Sequence, residues 1–248
     1  MKRVAVIVVA LAVLIVGIVV ATRDRTTPAA VSGQTPAPTS TSLTGGITPG
    51  QGASGLAPDG ITPIGWPSTC DGAVGAATAA VVAFTDPVGT PGWGTPAAKR
   101  GTPRAGLTET IARLTTGTHP SLEKAATGAY PQDWPGEIEH PEWGGYRLAS
   151  CTAGSVAVVD VFSCATVTEV PAGTTGWGSD CYAQELTMRW GGTPTDWRVA
   201  QWETTLPPPR PMFGGPLYTN PNPPTAVQRR AALAAGVPGW QEYANAPR

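Results

Sequence analysis

The longest apolar run in the chain lies at its N-terminus. Val4 to Ala21 reads VAVIVVALAVLIVGIVVA with no charge inside, preceded by Lys2-Arg3 and closed by Thr22-Arg23-Asp24-Arg25. At 1.5 Å per residue, about 18 residues span roughly 27 Å, enough for a hydrocarbon core. A buried soluble helix would carry a polar stripe, and this run has none. The rival reading is a cleaved signal peptide, with Val19-Val20-Ala21 as a loose cleavage site. The apolar run exceeds the usual length of roughly 7–15 residues, which favours an uncleaved transmembrane anchor over residues 1–22. Either way the rest of the chain is exported, with Lys2, Arg3 and the amino terminus left in the cytoplasm.

Apolar positions then almost vanish. Residues 23–60 are rich in Pro, Thr, Ser and Gly. Such a segment buries too little surface to offset its ordering entropy, so a disordered linker is expected there.

Residues 61–206 read as one exported α+β domain. Ser68-Thr69 caps a helix that starts near Asp71 and is apolar on most sides through Phe84. A loop with Gly-Thr-Pro three times follows. Thr108 is placed as the cap of a second helix, with Leu107, Ile111 and Leu114 on one side. A third short helix is expected from Pro120, with Leu122, Ala125 and Ala126 apolar and Gly128 as its stop. The stretch YPQDWPGEIEHPEWGG reads as a polar loop. Strands are then expected at Tyr146–Cys151, Val156–Thr168, Cys181–Trp190 and Asp196–Thr204. Alternation puts Tyr182, Leu186, Met188 and Trp190 on one face, and Glu185, Thr187 and Arg189 on the other. Short connections make these an antiparallel meander, so helices are expected to pack on a curved four-stranded antiparallel sheet.

Residues 207–248 form a Pro-rich tail with one short helix. Thr225 and Gln228 make a capping box, Gly236 is placed at the C′ position, and Pro238 follows. Val227, Leu233, Trp240 and Tyr243 suggest that the tail docks on the domain.

Composition sharpens this picture. Gly (31) and Pro (27) make up nearly a quarter of the 248 residues, so much of the chain is barred from helix and strand interiors. With charged residues at 13% and a net charge of -1, a polybasic nucleic-acid clamp is excluded, and no direct nucleic-acid partner is expected. The four cysteines, Cys70, Cys151, Cys164 and Cys181, imply two disulfides in an oxidising compartment, with three possible connectivities. Parity places Cys164 with Asp160 and Cys181 with Glu185 on the outer face, flanking one loop. That favours Cys164–Cys181 and leaves Cys70–Cys151, although the same counting turns Cys151 outward as well.

The element order resembles that of small actinobacterial single-pass membrane proteins of conjugative elements. The residues that carry the likeness are the entry Gly60-Ile-Thr-Pro-Ile-Gly-Trp-Pro and the helix start Gly72-Ala-Val-Gly-Ala-Ala. To these are added the strand VAVVDVF, Leu186-x-Met-x-Trp190 and Asp196-Trp197-Arg198-Val199. Thr195 stands where such relatives carry Gly. The exported domain of that group is similar to the nuclear transport factor two-like cone of type IV secretion scaffold proteins. The resemblance implies a cone-shaped fold and a scaffolding role in a membrane-spanning transfer machine, with no catalytic residues to carry over.

Candidate chemistry is sparse. His140 lies among Glu137, Glu139 and Glu142, types that bind divalent metals, but Pro141 makes convergence awkward and a solvated acidic loop is the expected outcome. His119 is read as a surface residue. Asp160 could act as a general base on an inner face, but Val159 and Val161 fit the core better, which turns Asp160 outward. No phosphate loop, dinucleotide fingerprint or nucleophile elbow is present. No metal, cofactor or catalytic residue is therefore expected. Trp93, Trp134, Trp143 and Trp177, all read as lying in Gly/Pro loops, are the interface candidates.

Two function classes follow. One is a non-enzymatic structural or assembly subunit of an envelope-spanning conjugation or type IV secretion-like machine, contacting other membrane or envelope subunits. The other is a ligand-binding or transporter-associated envelope protein with a cavity lined by Phe84, Val159, Leu186 and Trp190.

Overall fold

A computed structural model describes residues 46–85, 105–117, 137–167, 179–203 and 223–248. The expected membrane anchor, the helix from Pro120, His119, Trp93, Trp134 and Trp177 lie outside the described residues. Among the described residues, no helix is long and apolar enough to cross a membrane.

The fold is α+β. The element order is β1 (Gly55–Leu56), β2 (Pro63–Ile64), α1 (Cys70–Thr85), α2 (Leu107–Leu114), β3 (Glu137–Thr152), β4 (Val156–Val167), β5 (Ser179–Gly191), β6 (Asp196–Glu203) and α3 (Ala226–Ala235). β1 and β2 form a small antiparallel pair. The four long strands form one antiparallel sheet in the order β3-β4-β5-β6, the expected meander.

α1 forms where the sequence is small and apolar on most sides. Thr69 Oγ1 accepts the Gly72 N–H at 3.1 Å, and Asp71 sits in the first turn. Ala73, Ala77, Ala80 and Val81 are fully or nearly fully buried, so the helix lies deep in the domain. Its glycine has a packing reason at Gly75, where a Cβ would lie 2.3 Å from the Trp66 ring. On one face of the sheet, Tyr146, Val159, Val161, Leu186, Met188, Trp197 and Val199 join α1 in a single core.

Both outer edges of the sheet are engaged, which limits edge-to-edge pairing. On β3, Tyr146 and Gln241 exchange backbone hydrogen bonds of 2.9 and 2.8 Å. On β6, the Val199 carbonyl accepts the Thr116 N–H at 2.9 Å, just after α2.

The structure corrects several boundaries. The linker expected to run to residue 60 ends earlier: Ile47 and Ala57 are buried, and residues 46–60 are part of the folded unit. Its anchor is Asp59, whose Oδ1 accepts the N–H groups of Ile61 (3.1 Å) and Thr62 (3.0 Å). α2 begins before Thr108. Gly106, at φ 77°, is its N-cap with no side-chain cap, because Leu107 belongs to the core and a Cβ at Gly106 would meet the Pro58 carbonyl at 2.4 Å. β3 starts at Glu137 rather than Tyr146. Pro141 is accommodated because β3 is an edge strand and its pairing with β4 is irregular between His140 and Gly145.

The tail helix forms as expected, with both halves of the Thr225–Gln228 capping box made. Gly236, however, is the C-cap in an extended conformation rather than a C′ residue. Leu233 and Tyr243 are buried against the domain, but Val227 is 77% exposed and takes no part in docking.

Candidate functional site

Both disulfides are present, Cys164–Cys181 and Cys70–Cys151. Cys164 faces Cys181 directly across the β4–β5 ladder. Cys151 does not face outward. A bulge between Leu148 and Ser150 adds a residue to β3, so Leu148 and Cys151 share the α1 face despite their odd spacing. The bulge thus brings Cys151 to Cys70 at the first turn of α1.

The face of the sheet opposite α1 is not a solvent face. Trp143, Phe162, Cys164, Cys181 and Ala183 pack there with Ala232 and Leu233 of α3, and Trp240 packs against them. Asp160, expected to turn outward, does lie on this face but is completely buried. It is paired with Arg147 across the β3–β4 ladder. Burial raises the Asp160 carboxyl above its ordinary range, and the Arg147 charge opposes that rise. Trp143 is likewise corrected. It is 7% exposed within β3, stacked on His140 at 3.9 Å, and is no exposed loop anchor.

The acidic group around His140 is split by the strand. Glu139 lies opposite Ala165, and His140 opposite Cys164, so the two point to opposite faces. Glu139 accepts the Tyr182 hydroxyl at 2.8 Å, while His140 Nδ1 lies 2.9 Å from Glu142. Among the described residues, no cluster of His, Cys, Asp or Glu is arranged to hold a metal.

Two motifs singled out in the sequence meet in space. Asp196, 2% exposed, accepts the N–H groups of Gly65 (2.7 Å), Trp66 (3.1 Å) and Trp197 (2.9 Å). Arg113 of α2 reaches the same carboxylate at 3.2 Å. The Trp197 indole N–H donates to the Pro67 carbonyl at 2.9 Å. The entry segment, α2 and the start of β6 are therefore fastened at one buried carboxylate, whose charge is met by donors and a guanidinium. The Asp-Trp dipeptide and the Gly-Trp-Pro entry were each visible as unusual; nothing in their spacing linked them.

The C-terminal segment is fastened in a comparable way. Arg229 and Arg230 bind the two oxygens of Glu242 at 2.7 and 3.0 Å. Burial works to raise the Glu242 carboxyl, but the bonds and charges of the two arginines outweigh it and hold it below the usual range. The Tyr243 hydroxyl lies 2.8 Å from Thr78 Oγ1 inside the core, and burial pushes its pKa up.

The structure places Phe84, Val159, Leu186 and Trp190 in or against the α1 core. The first three are buried in the α1 core, and Trp190 packs on it at 5.5 Å from the Trp197 ring. The polar side chains that sequence reasoning missed lie further along the same face: Ser163 and Gln184 are fully buried on β4 and β5. They continue the apolar alternation with polar residues, a signal that parity alone reads as core. Comparison with protein-family models, with curated proteins and with solved structures finds no match for this chain.

Proposed function

We propose that this protein is an exported, membrane-anchored contact domain, a non-enzymatic structural subunit of an envelope-spanning conjugation or secretion-like machine. In this reading the N-terminus is cytoplasmic, and the domain is a cone-like scaffold outside the membrane. The observation that carries it is the use made of the polar groups. Asp196 fastens the entry segment, Asp160 is locked to Arg147, and Glu242 is held by two arginines. None is left as a poised acid or base in an open cleft. Two disulfides support the oxidising compartment. The packing of Phe84, Val159 and Leu186 into the core argues against an apolar carrier cavity.

Surface contact then has to carry the function, and Trp93 and Trp177 remain its candidate anchors. The test is a transfer or secretion assay in cells carrying the gene. Replacing Trp93 and Trp177 by Ser impairs assembly while the circular dichroism of the protein is unchanged. Replacing His119 and His140 by Ala leaves function intact. Loss of function from the histidine pair, with folding retained, overturns the contact reading.

A further inference from the structure

The segment from Gly46 to Gly52 and the chain entering α1 enclose a cavity of about 290 Å³. That is near the lower end of the ~300–1,000 Å³ range of small-molecule sites. Ile47, Trp66 and Pro67 supply apolar wall, and Thr48, Gln51 and Asp71 supply polar groups. Gln51 and Pro67 are exposed, so the cavity opens to solvent on their side.

Asp71 is the one titratable group among the lining residues, which gives the cavity a charge but no acid–base pair. Its carboxylate makes no hydrogen bond or ion pair with the described residues. By contrast, Asp59, Asp160, Asp196 and Glu242 are all met by N–H donors or arginines. The Tyr146 hydroxyl feels the Asp71 charge but donates to Gln241 Oε1 at 3.1 Å. Burial raises the Asp71 carboxyl above its ordinary range, as befits a charge without a partner. Its place in the first turn of α1 favours the ionised form.

We propose that this cavity binds a small aliphatic primary ammonium ion through Asp71. The carboxylate accepts two of the ammonium N–H groups, an oxygen of Thr48 or Gln51 takes the third, and the alkyl chain lies along the apolar wall. An anion is repelled by Asp71. A calcium ion takes about 6–8 oxygen ligands, several of them carboxylates, and this cavity offers one carboxylate beside apolar wall. A neutral molecule leaves the charge unmatched. This site goes beyond the contact role and does not depend on it.

The test uses the full chain in non-ionic detergent, labelled with nitrogen-15 and titrated at neutral pH. n-Butylamine is the probe; n-butanol and calcium chloride are the controls. The expected result is a saturable shift of the Gln51 and Gly72 amides with butylamine and none with either control. Amides around Glu109, an exposed carboxylate on α2, stay in place. Asp71→Asn keeps the shape of the side chain and weakens butylamine at least tenfold. Gln51→Lys, at an exposed turn, brings a tethered ammonium to the cavity and weakens butylamine at least threefold by competition; it decides the matter if Asp71→Asn does not fold. A shift that never saturates, an equal response to butanol or calcium, or unchanged butylamine binding in a folded variant overturns the proposal.

Discussion

The two faces of the β3–β6 sheet are built from the same alternation but solved differently. The α1 face is covered by one buried, Ala-rich helix, and its apolar rows join a core that also takes in Ile47, Trp66 and Tyr243. The opposite face carries the Arg147–Asp160 pair and a small cluster that Ala232, Leu233 and Trp240 of the C-terminal segment complete, while Tyr243 of the same segment enters the α1 core. Each face has its own disulfide: Cys70–Cys151 ties helix to sheet, and Cys164–Cys181 joins two strands on the other side. A strand that alternates apolar and polar need not have a wet side. Asp160 is buried on that second side with its charge met by Arg147 of the adjacent strand.

The sharpest way to separate the faces is to remove their disulfides one at a time. The Cys70–Cys151 link closes 81 residues and the Cys164–Cys181 link 17. In the chain-entropy picture these stabilise by about 4.5 and about 3 kcal/mol respectively. Urea unfolding of Cys70→Ser/Cys151→Ser and Cys164→Ser/Cys181→Ser should rank them in that order. The reverse order would mean that the second face is the more constraining one.

Core truncation comes next. Leu186→Ala, at a completely buried site on the α1 face, should cost about 3–4 kcal/mol. Leu233→Ala, at the margin of the smaller cluster, should cost about 2 kcal/mol. Equal losses would erase the distinction between a main core and a satellite. Asp160→Ala strands the Arg147 charge and should cost about 2–3 kcal/mol, at or below the bottom of the range for a broken buried pair because Arg147 is 21% exposed. Adding Arg147→Leu should recover most of that loss. A double variant no better than the single one would show that the pair is not an isolated unit.

Legibility in the sequence follows the same division. α1, the meander and the capping box of α3 were readable because each rests on local periodicity or a short-range hydrogen bond. Thr225→Ala, which breaks that box, should cost about 1 kcal/mol in thermal unfolding. The second face was not readable, since its cluster is completed by Ala232, Leu233 and Trp240, some 70–80 positions after Phe162. β3 was cut short because Pro141 reads as a loop, and Cys151 was turned to the wrong side because a bulge is invisible to counting by twos. The meeting of Asp196 with Gly65 and Trp66 spans 131 and 130 positions, beyond any local pattern.

The smallest expected effect is one of pH. The Glu242 carboxyl is held below its unfolded value, so its contribution is fully present above the unfolded pKa near 4.5 and is lost as pH falls through the folded value. Asp160 is raised, so its contribution runs the other way: it opposes folding above its folded pKa and is relieved as pH falls. The stability difference between the wild type and Glu242→Gln should therefore shrink below about pH 4. A difference that persists unchanged into acid would show that the arginines do not act through that charge.

The claim that the second face is completed by the C-terminal segment is tested most directly by amide hydrogen exchange on a chain ended after residue 222. Loss of protection should be largest in β3 around Tyr146 and in the stretch Phe162–Cys164 of β4, and on α1 it should be limited to the turn around Thr78, which loses Tyr243. Retained protection at Tyr146 and Phe162, or loss spread evenly through α1 as well, would contradict it.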